Sequence, residues 1–279
     1  CSESNSDIMP LGLQLSLVGG SLSDSQAVEN NKAASFSNTK SLNFDGTNDY
    51  AEFATDSVLP GLIGDGDFAI SYWVKAADFS LSNANPNNFF IYSLFFAGGP
   101  FNYFLLGSVY GTNASAGNPG KMLFQIQAGS TNHITTKSNS AVSLTDNDWN
   151  HVVFSCRDGG STRLGTIYIN GSLVASTSTS TSGADFGSTS FGDLRIASQT
   201  INIGGDTYQA FEIDEFSIYD SVLTAGAASE IYNSGVPADE SSRSNLVGYW
   251  RLEDNGDDSS SNSNALTISG ATFTNDVPS

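Results

Sequence analysis

The stretch Thr166-Ile167-Tyr168-Ile169-Asn170-Gly171-Ser172-Leu173-Val174-Ala175 decides the fold class. Asn-Gly between two alternating runs requires positive φ at both turn positions and predicts a two-residue type I′ β-hairpin. Immediately upstream, Trp149 to Cys156 reads as a strong strand in which Val152, Phe154 and Cys156 alternate with their neighbours, so Cys156 is expected to be a small buried hydrophobe. Phe68 to Lys75 carries β-branched or aromatic residues on both faces and predicts a central strand buried on two sides.

The same patterning extends outward. Ser41-Leu42-Asn43-Phe44, the turn-rich Asp45-Gly46-Thr47-Asn48-Asp49 and Tyr50-Ala51-Glu52-Phe53 read together as a hairpin with a polar tip. Asn88 to Phe96 and Tyr103 to Tyr110 are aromatic strands, Thr112 to Gly120 a loop, and Lys121 to Ala128 and His133 to Lys137 shorter strands. Ser176 to Ser190 is a low-complexity Ser/Thr/Gly tract, expected as a surface loop. Leu194 to Ala197, Ile201 to Ile203 and Phe211 to Tyr219 complete the main strand set. A single helix is expected, capped by Thr224, running Ala225 to Asn233 and ended by Gly235 and Pro237. Being short, it must draw its stability from packing Ala228, Ile231 and Tyr232.

These elements give an all-β chain: a two-sheet antiparallel jelly-roll sandwich with one short helix. It divides into residues 1–40, an extension whose Leu11, Leu13, Leu15 and Leu17 alternate as an edge or interface strand; residues 41–235, the sandwich; and residues 236–279. The last segment holds Leu246 to Leu252 as a late strand, the acidic loop Glu253 to Asn264, and Ala265 to Phe273. It either completes the sandwich or contacts a neighbouring subunit.

Composition bounds the partners. Across 279 residues, 39% are hydrophobic and only 14% charged, with 28 Gly, which suits many short strands and polar turns. The 18 Phe and 10 Tyr supply a thick core. Ten basic against 29 acidic residues leave a formal charge of −19, which repels phosphate backbones and anionic lipid, so nucleic acid is excluded as a direct partner. No apolar run reaches the ~20 residues that span a bilayer. Two cysteines, Cys1 and Cys156, make no disulfide framework. A first residue of Cys fits a trimmed chain, with a lipid tether through Cys1 as the minor alternative.

Five segments in this order resemble the laminin-G-like jelly roll of the concanavalin A-like superfamily. They are Leu42 to Tyr50, Phe68 to Lys75, Trp149-Asn150-His151-Val152, Ile167 to Val174, and Phe211-Glu212-Ile213-Asp214-Glu215-Phe216-Ser217-Ile218-Tyr219. Gly248-Tyr249-Trp250-Arg251-Leu252 with Asp257 to Asn262 resembles the opening of such a domain, here placed last. The arrangement is similar to that of structural proteins of marine phages, as well as to secreted surface proteins. The resemblance therefore implies an extracellular or virion-surface setting.

Candidate chemistry follows from single residues. Related jelly-roll glucanases use two glutamates around Glu-x-Asp, as nucleophile and acid/base. Here Glu212 and Asp214 are followed by Phe216 and Ser217, so the second glutamate is missing and no enzyme is expected. His133 and His151 are the two candidates for a neutral-pH base. His151 and Cys156, five residues apart on one strand, face opposite sides, so no thiol–imidazole pair forms. Calcium is the expected cofactor, held by Asp45, Asn48, Asp49 and Asp214: the resemblance implies that these two segments adjoin, and their hard oxygens suit a hard cation. The alternative is that Asp45 and Asn48 only stabilise a turn. Asp214, placed by period 2 on one face with Phe216 and Ile218, would point into apolar surroundings. Tyr103, Tyr110 and Asn113 are the nominal ligand-binding residues for glycans. The expected role is a non-catalytic structural and surface-binding component of an extracellular assembly, a phage virion being one setting; a free carbohydrate-binding lectin-like module is the alternative. Expected partners are other subunits of that assembly, and glycans.

Overall fold

The computed structural model describes residues 36–53, 66–79, 88–96, 103–110, 121–128, 131–138, 144–180, 191–199 and 207–279. The chain separates into two units, Cys1–Phe36 and Ser37–Ser279. Leu11 to Leu17 and Ile201 to Ile203 lie outside the described residues.

In chain order the strands are β1 (Ser41–Asp45), β2 (Tyr50–Phe53), β3 (Phe68–Lys75), β4 (Asn88–Phe96), β5 (Tyr103–Tyr110) and β6 (Met122–Ala128). They continue with β7 (Thr131–Lys137), β8 (Asn150–Asp158), β9 (Thr162–Ile169), β10 (Ser172–Ser180), β11 (Phe191–Ile196), β12 (Ser198–Gln199) and β13 (Thr207–Tyr208). The chain ends with β14 (Ala210–Tyr219), helix α1 (Ala225–Tyr232), β15 (Leu246–Trp250), β16 (Leu266–Ser269) and β17 (Thr272–Thr274). One antiparallel sheet runs β10-β9-β8-β3-β14-β1-β17, with β15 also paired to β14. The other runs β16-β2-β11-β4-β5-β6-β7, and β12 with β13 forms a small ribbon.

The first sheet packs on both faces. Toward the second sheet it offers Leu42, Phe44, Ile70, Tyr72, Val74, Phe154, Cys156, Ile213 and Phe216, which meet Ala51, Phe53, Ile91, Phe124, Leu194 and Ile196 in one core. Toward α1 it offers Ala69, Val153, Tyr168 and Tyr219, which pack with Leu223, Ala228 and Ile231 in a second. Each fully buried Leu, Ile or Phe contributes on the order of 1.5–3 kcal/mol, so the double burial of β3 explains why its sequence lacks a polar face. Cap and hairpin behave as expected. Thr224 Oγ1 accepts a hydrogen bond from the Ala227 amide at 3.3 Å, and Asn170 and Gly171 take φ of 48° and 72°. A Cβ on Gly171 would lie 3.1 Å from the Tyr232 ring, so the hairpin tip is also the helix's seat.

Two expectations are corrected. Ser41–Phe53 is not a hairpin: β1 pairs with β14 and β17, whereas β2 pairs with β11 and β16 in the opposite sheet. The turn between them arches across the core. Alternation does not separate the two outcomes, because inward Leu42 and Phe44 and inward Ala51 and Phe53 are satisfied side by side or face to face. Ser176 to Ser180, expected in a surface loop, continues β10 against Thr166 to Thr162 of β9; an edge strand needs no apolar side chains once its backbone is paired.

Residues beyond 245 complete the sandwich. β15 pairs with β14 and β17 with β1 in one sheet, while β16 pairs with β2 in the other. Trp250 is fully buried in the main core, 4.4 Å edge-on from the Phe53 ring.

Candidate functional site

Strand β14 carries the most acidic part of the first sheet, and its geometry turns on one residue. Glu215 takes φ of 47°. The register of β14 on β3 jumps there, from Asp214 opposite Trp73 to Ser217 opposite Ser71. On its other edge, β1 pairs as far as Ile213 and β15 begins at Phe216. This β-bulge inverts the alternation: Phe211 and Ile213 face the main core before it, Phe216 and Ile218 after it. Glu212 and Asp214 therefore point to the outer face, together with Ser217 and Tyr219. The expectation that Asp214 shares the inward face of Phe216 is overturned, because strict period 2 does not survive an inserted residue.

On that outer face the carboxylates form a closed network. Asp214 is fully buried and Glu215 is 1% exposed. Asp214 accepts from Asn38 Nδ2 at 2.8 Å and from the Glu215 amide at 2.9 Å. Glu215 accepts from the Tyr249 hydroxyl and lies 3.7 Å from Arg251 Nε. Arg251 also reaches Glu253 at 3.6 Å and donates to the Ser37 carbonyl at 2.5 Å. Glu253 in turn accepts from the Thr39 amide at 2.7 Å. Further along, Glu240 is 1% exposed and accepts from Ser217 Oγ at 3.0 Å and from the Tyr219 hydroxyl.

Burial dominates the electrostatics. It raises Asp214 well above the usual carboxylate range, with the Asn38 and Glu215 donors opposing. It raises Glu215 likewise, helped by the Asp214 charge. Glu240 is pushed up to about 7 by burial, against the pull of its two hydroxyl donors.

The expected calcium ligands are not brought together. Asp45 stands opposite Ala210 on β14 and Leu42 opposite Ile213, so Asp214 lies past the far end of β1 from the turn. Four residues of strand separate them, roughly 13 Å, whereas a calcium ion holds its ligands at about 2.3–2.6 Å. A single ion therefore does not bridge them. The turn is held internally instead: Asp49 Oδ2 accepts from the Asp45 amide at 3.0 Å, and Asp45 Oδ1 from the Thr47 amide at 2.7 Å. Asn48 is exposed at its tip. Asp49 also abuts Gly270, where a Cβ would sit 2.1 Å from its Oδ1. It thus marks where the β1–β2 arch meets the β16–β17 arch. Among the described residues no group of three or more His, Cys, Asp and Glu side chains is placed to hold a metal ion.

The other candidates fall as follows. His151 is fully buried, bonded through Nε2 to Ser71 Oγ at 2.9 Å and packed 5.1 Å from the Trp73 ring; burial lowers its pKa to about 3. Cys156 sits in the main core, its thiol pushed up to about 12 by the same cause. The two residues do face opposite sides of β8. His133 lies in β7, Tyr103 and Tyr110 are the end residues of β5, and Asn113 lies outside the described residues. Glu240, Tyr249 and Arg251 were not singled out from the sequence. Glu240, next to Asp239 in the polar connector Asp239 to Ser244, carries no local signal that it folds back under a sheet.

Comparison with known proteins places this geometry. A heptameric SAP-like pentraxin from Limulus polyphemus superposes with a TM-score of 0.54 at 14% identity, covering 85% of this chain and 94% of that one. A putative carbohydrate binding protein from Bacteroides ovatus superposes with a TM-score of 0.54 at 17% identity, covering 87% of this chain and 62% of that one. At such identities these likenesses speak to the fold alone. No curated protein matches the chain. Among the described residues no helix is long and apolar enough to cross a membrane. The Laminin_G_3 family model, described as the concanavalin A-like lectin/glucanases superfamily, matches residues 45–229, more than half of the chain, and the chain belongs to that superfamily.

Proposed function

We propose that the protein is a non-catalytic binding module that recognises glycans as a component of an extracellular assembly, a virion particle being one setting. The observation that carries the non-catalytic part is the bulge in β14. Retaining glycosidases need two carboxyl groups about 5–5.5 Å apart and open to the sugar. Here Phe216 faces the core, while Asp214 and Glu215 are sealed by Asn38, Tyr249 and Arg251. Glycan recognition is supported by superfamily membership and by the likeness to a protein named as carbohydrate-binding; assembly is supported by the likeness to a heptameric pentraxin. Fold-level likeness supports a class of partner only.

The test combines a glycan array, reducing-end release and native mass. Glycan binding without release is expected, in an oligomeric particle. Sugar release that disappears in Glu212→Gln overturns the non-catalytic part. A monomer in its source material removes the assembly and leaves a free lectin-like module.

A further inference from the structure

The outer face of β8 and β9 carries a second feature, away from the β14 network. Three cross-strand rows climb it: Val153 opposite Tyr168, Ser155 opposite Thr166, and Arg157 opposite Leu164. Chain leaving β14 returns over these rows at Val222 to Ala225, pinned where the Leu223 amide donates to Ser155 Oγ at 3.0 Å. Between strand face and returning chain lies a cleft of about 210 Å³, with Arg157, Thr166, Tyr168 and Thr224 in its wall.

Its charge runs against the rest of the protein. Among the described residues no Asp or Glu lines it, in a chain with 29 acids against 10 bases. Among the described arginines, Arg163 is paired to Asp158 at 3.3 Å, Arg195 to Glu52 at 2.5 Å, Arg243 to Glu230 at 3.4 Å and Arg251 to Glu215 at 3.7 Å. Arg157, exposed at the cleft, has no carboxylate partner among the described residues. Its sequence neighbour Asp158 is already taken by Arg163. A guanidinium left unpaired amid such an excess of carboxylates is available to an incoming anion, and its fork matches a carboxylate or sulfate with two parallel hydrogen bonds.

The remaining wall suits a sugar. Thr166 and Thr224 each keep a hydroxyl proton to donate, and Tyr168 with Leu164 gives an apolar floor. The volume is below the usual 300–1,000 Å³ of drug-sized sites, which limits the occupant to about one ring. The overall charge does not forbid an anion: charges more than about 10 Å away are screened at physiological salt, and the carboxylates beside Arg157 are engaged, Asp158 by Arg163 and Asp67 by the Asp158 amide.

We propose that this cleft binds a single acidic sugar residue, with Arg157 on its carboxylate or sulfate and Thr166 and Thr224 on its hydroxyls. The proposal rests on the glycan-binding reading and supplies its site and ligand class. The probe is methyl β-D-glucuronide, with methyl β-D-glucoside as the neutral control, titrated by NMR against wild type, Arg157→Gln and Arg157→Lys, alongside an array of neutral and acidic glycans. Arg157 makes no ion pair among the described residues, so both variants should melt as wild type does. The glucuronide should shift the Thr166 and Tyr168 amides, bind in preference to the glucoside, and weaken about tenfold or more in Arg157→Gln. Arg157→Lys should fall between them, keeping the charge without the fork. Unchanged glucuronide binding in Arg157→Gln, or preference for the glucoside, overturns this site while leaving glycan recognition standing. Glucuronide binding at these amides with no array glycan bound keeps the site and removes the wider reading. No binding of either sugar or any array glycan removes both.

Discussion

Replacing Glu240 by Gln should stabilise the protein at pH 8 and leave it nearly unchanged at pH 4. The carboxyl is fully enclosed beneath the first sheet, and its folded pKa of about 7 stands against an ordinary value of 4.5. A raised acid pKa means that the folded state holds the proton more tightly than the unfolded chain. The stabilisation is thus fully present below about pH 4.5 and is lost as pH rises through about 7. The difference of roughly 2.5 units corresponds to about 3 kcal/mol at most. Gln keeps an acceptor for the Ser217 and Tyr219 hydroxyls and removes the charge, so the variant should not lose stability across this window. Asp214 and Glu215 are shifted in the same direction, so the assay must be a difference: urea unfolding of wild type and variant from pH 4 to 8.5. A gap that opens between pH 4.5 and 7 and then levels off is expected. A gap independent of pH, or a variant weaker than wild type at pH 8, would refute the reasoning.

Trp250→Ala should cost about 3–5 kcal/mol in urea unfolding, because the ring is fully buried against Phe53 and Phe216; a loss under 1 kcal/mol would mean that residues beyond 245 are not part of the cooperative unit. Gly171→Ala should cost at least ~1 kcal/mol, combining a positive φ with a Cβ 3.1 Å from Tyr232, and a melting temperature equal to wild type would contradict the type I′ geometry. Asp214→Ala should cost about 1–3 kcal/mol by orphaning Asn38 Nδ2 and the Glu215 amide, and by the same amount with or without chelator. A loss that vanishes once calcium is chelated would instead restore an ion at Asp214.

Much of the fold was legible because its strongest signals are local. Asn170-Gly171 specifies its turn through φ alone, Thr224 specifies a helix start, and β3 announces double burial by lacking a polar face. What stayed hidden depends on partners distant in sequence. Whether Ser41–Phe53 closes as a hairpin or arches between sheets is decided by β14 and β11, more than 140 residues onward. Ser176–Ser180 has no apolar content to mark it, yet backbone pairing to β9 holds it as a strand.

The site was less legible because one residue reverses the rule used to read it. Alternation assigns Asp214 to the face of Phe216 only while the strand keeps its phase, and Glu215 breaks that phase without glycine or proline to betray it. The bulge falls where β1 stops and β15 takes over along the same edge of β14. A strand that serves two successive partners there accommodates a change of register, and the inserted residue is where the change occurs. The polar side chains it turns outward then need cover, which Asn38 from before β1 and Tyr249 and Arg251 from β15 and just beyond supply. Asp214 and Glu215 are thus accounted for by closure of the sandwich by the segment before β1 and the segment from β15 onward. The Arg157 cleft lies outside that closure, its polar groups not consumed by it, which is why the proposed sugar site is placed there and not on β14.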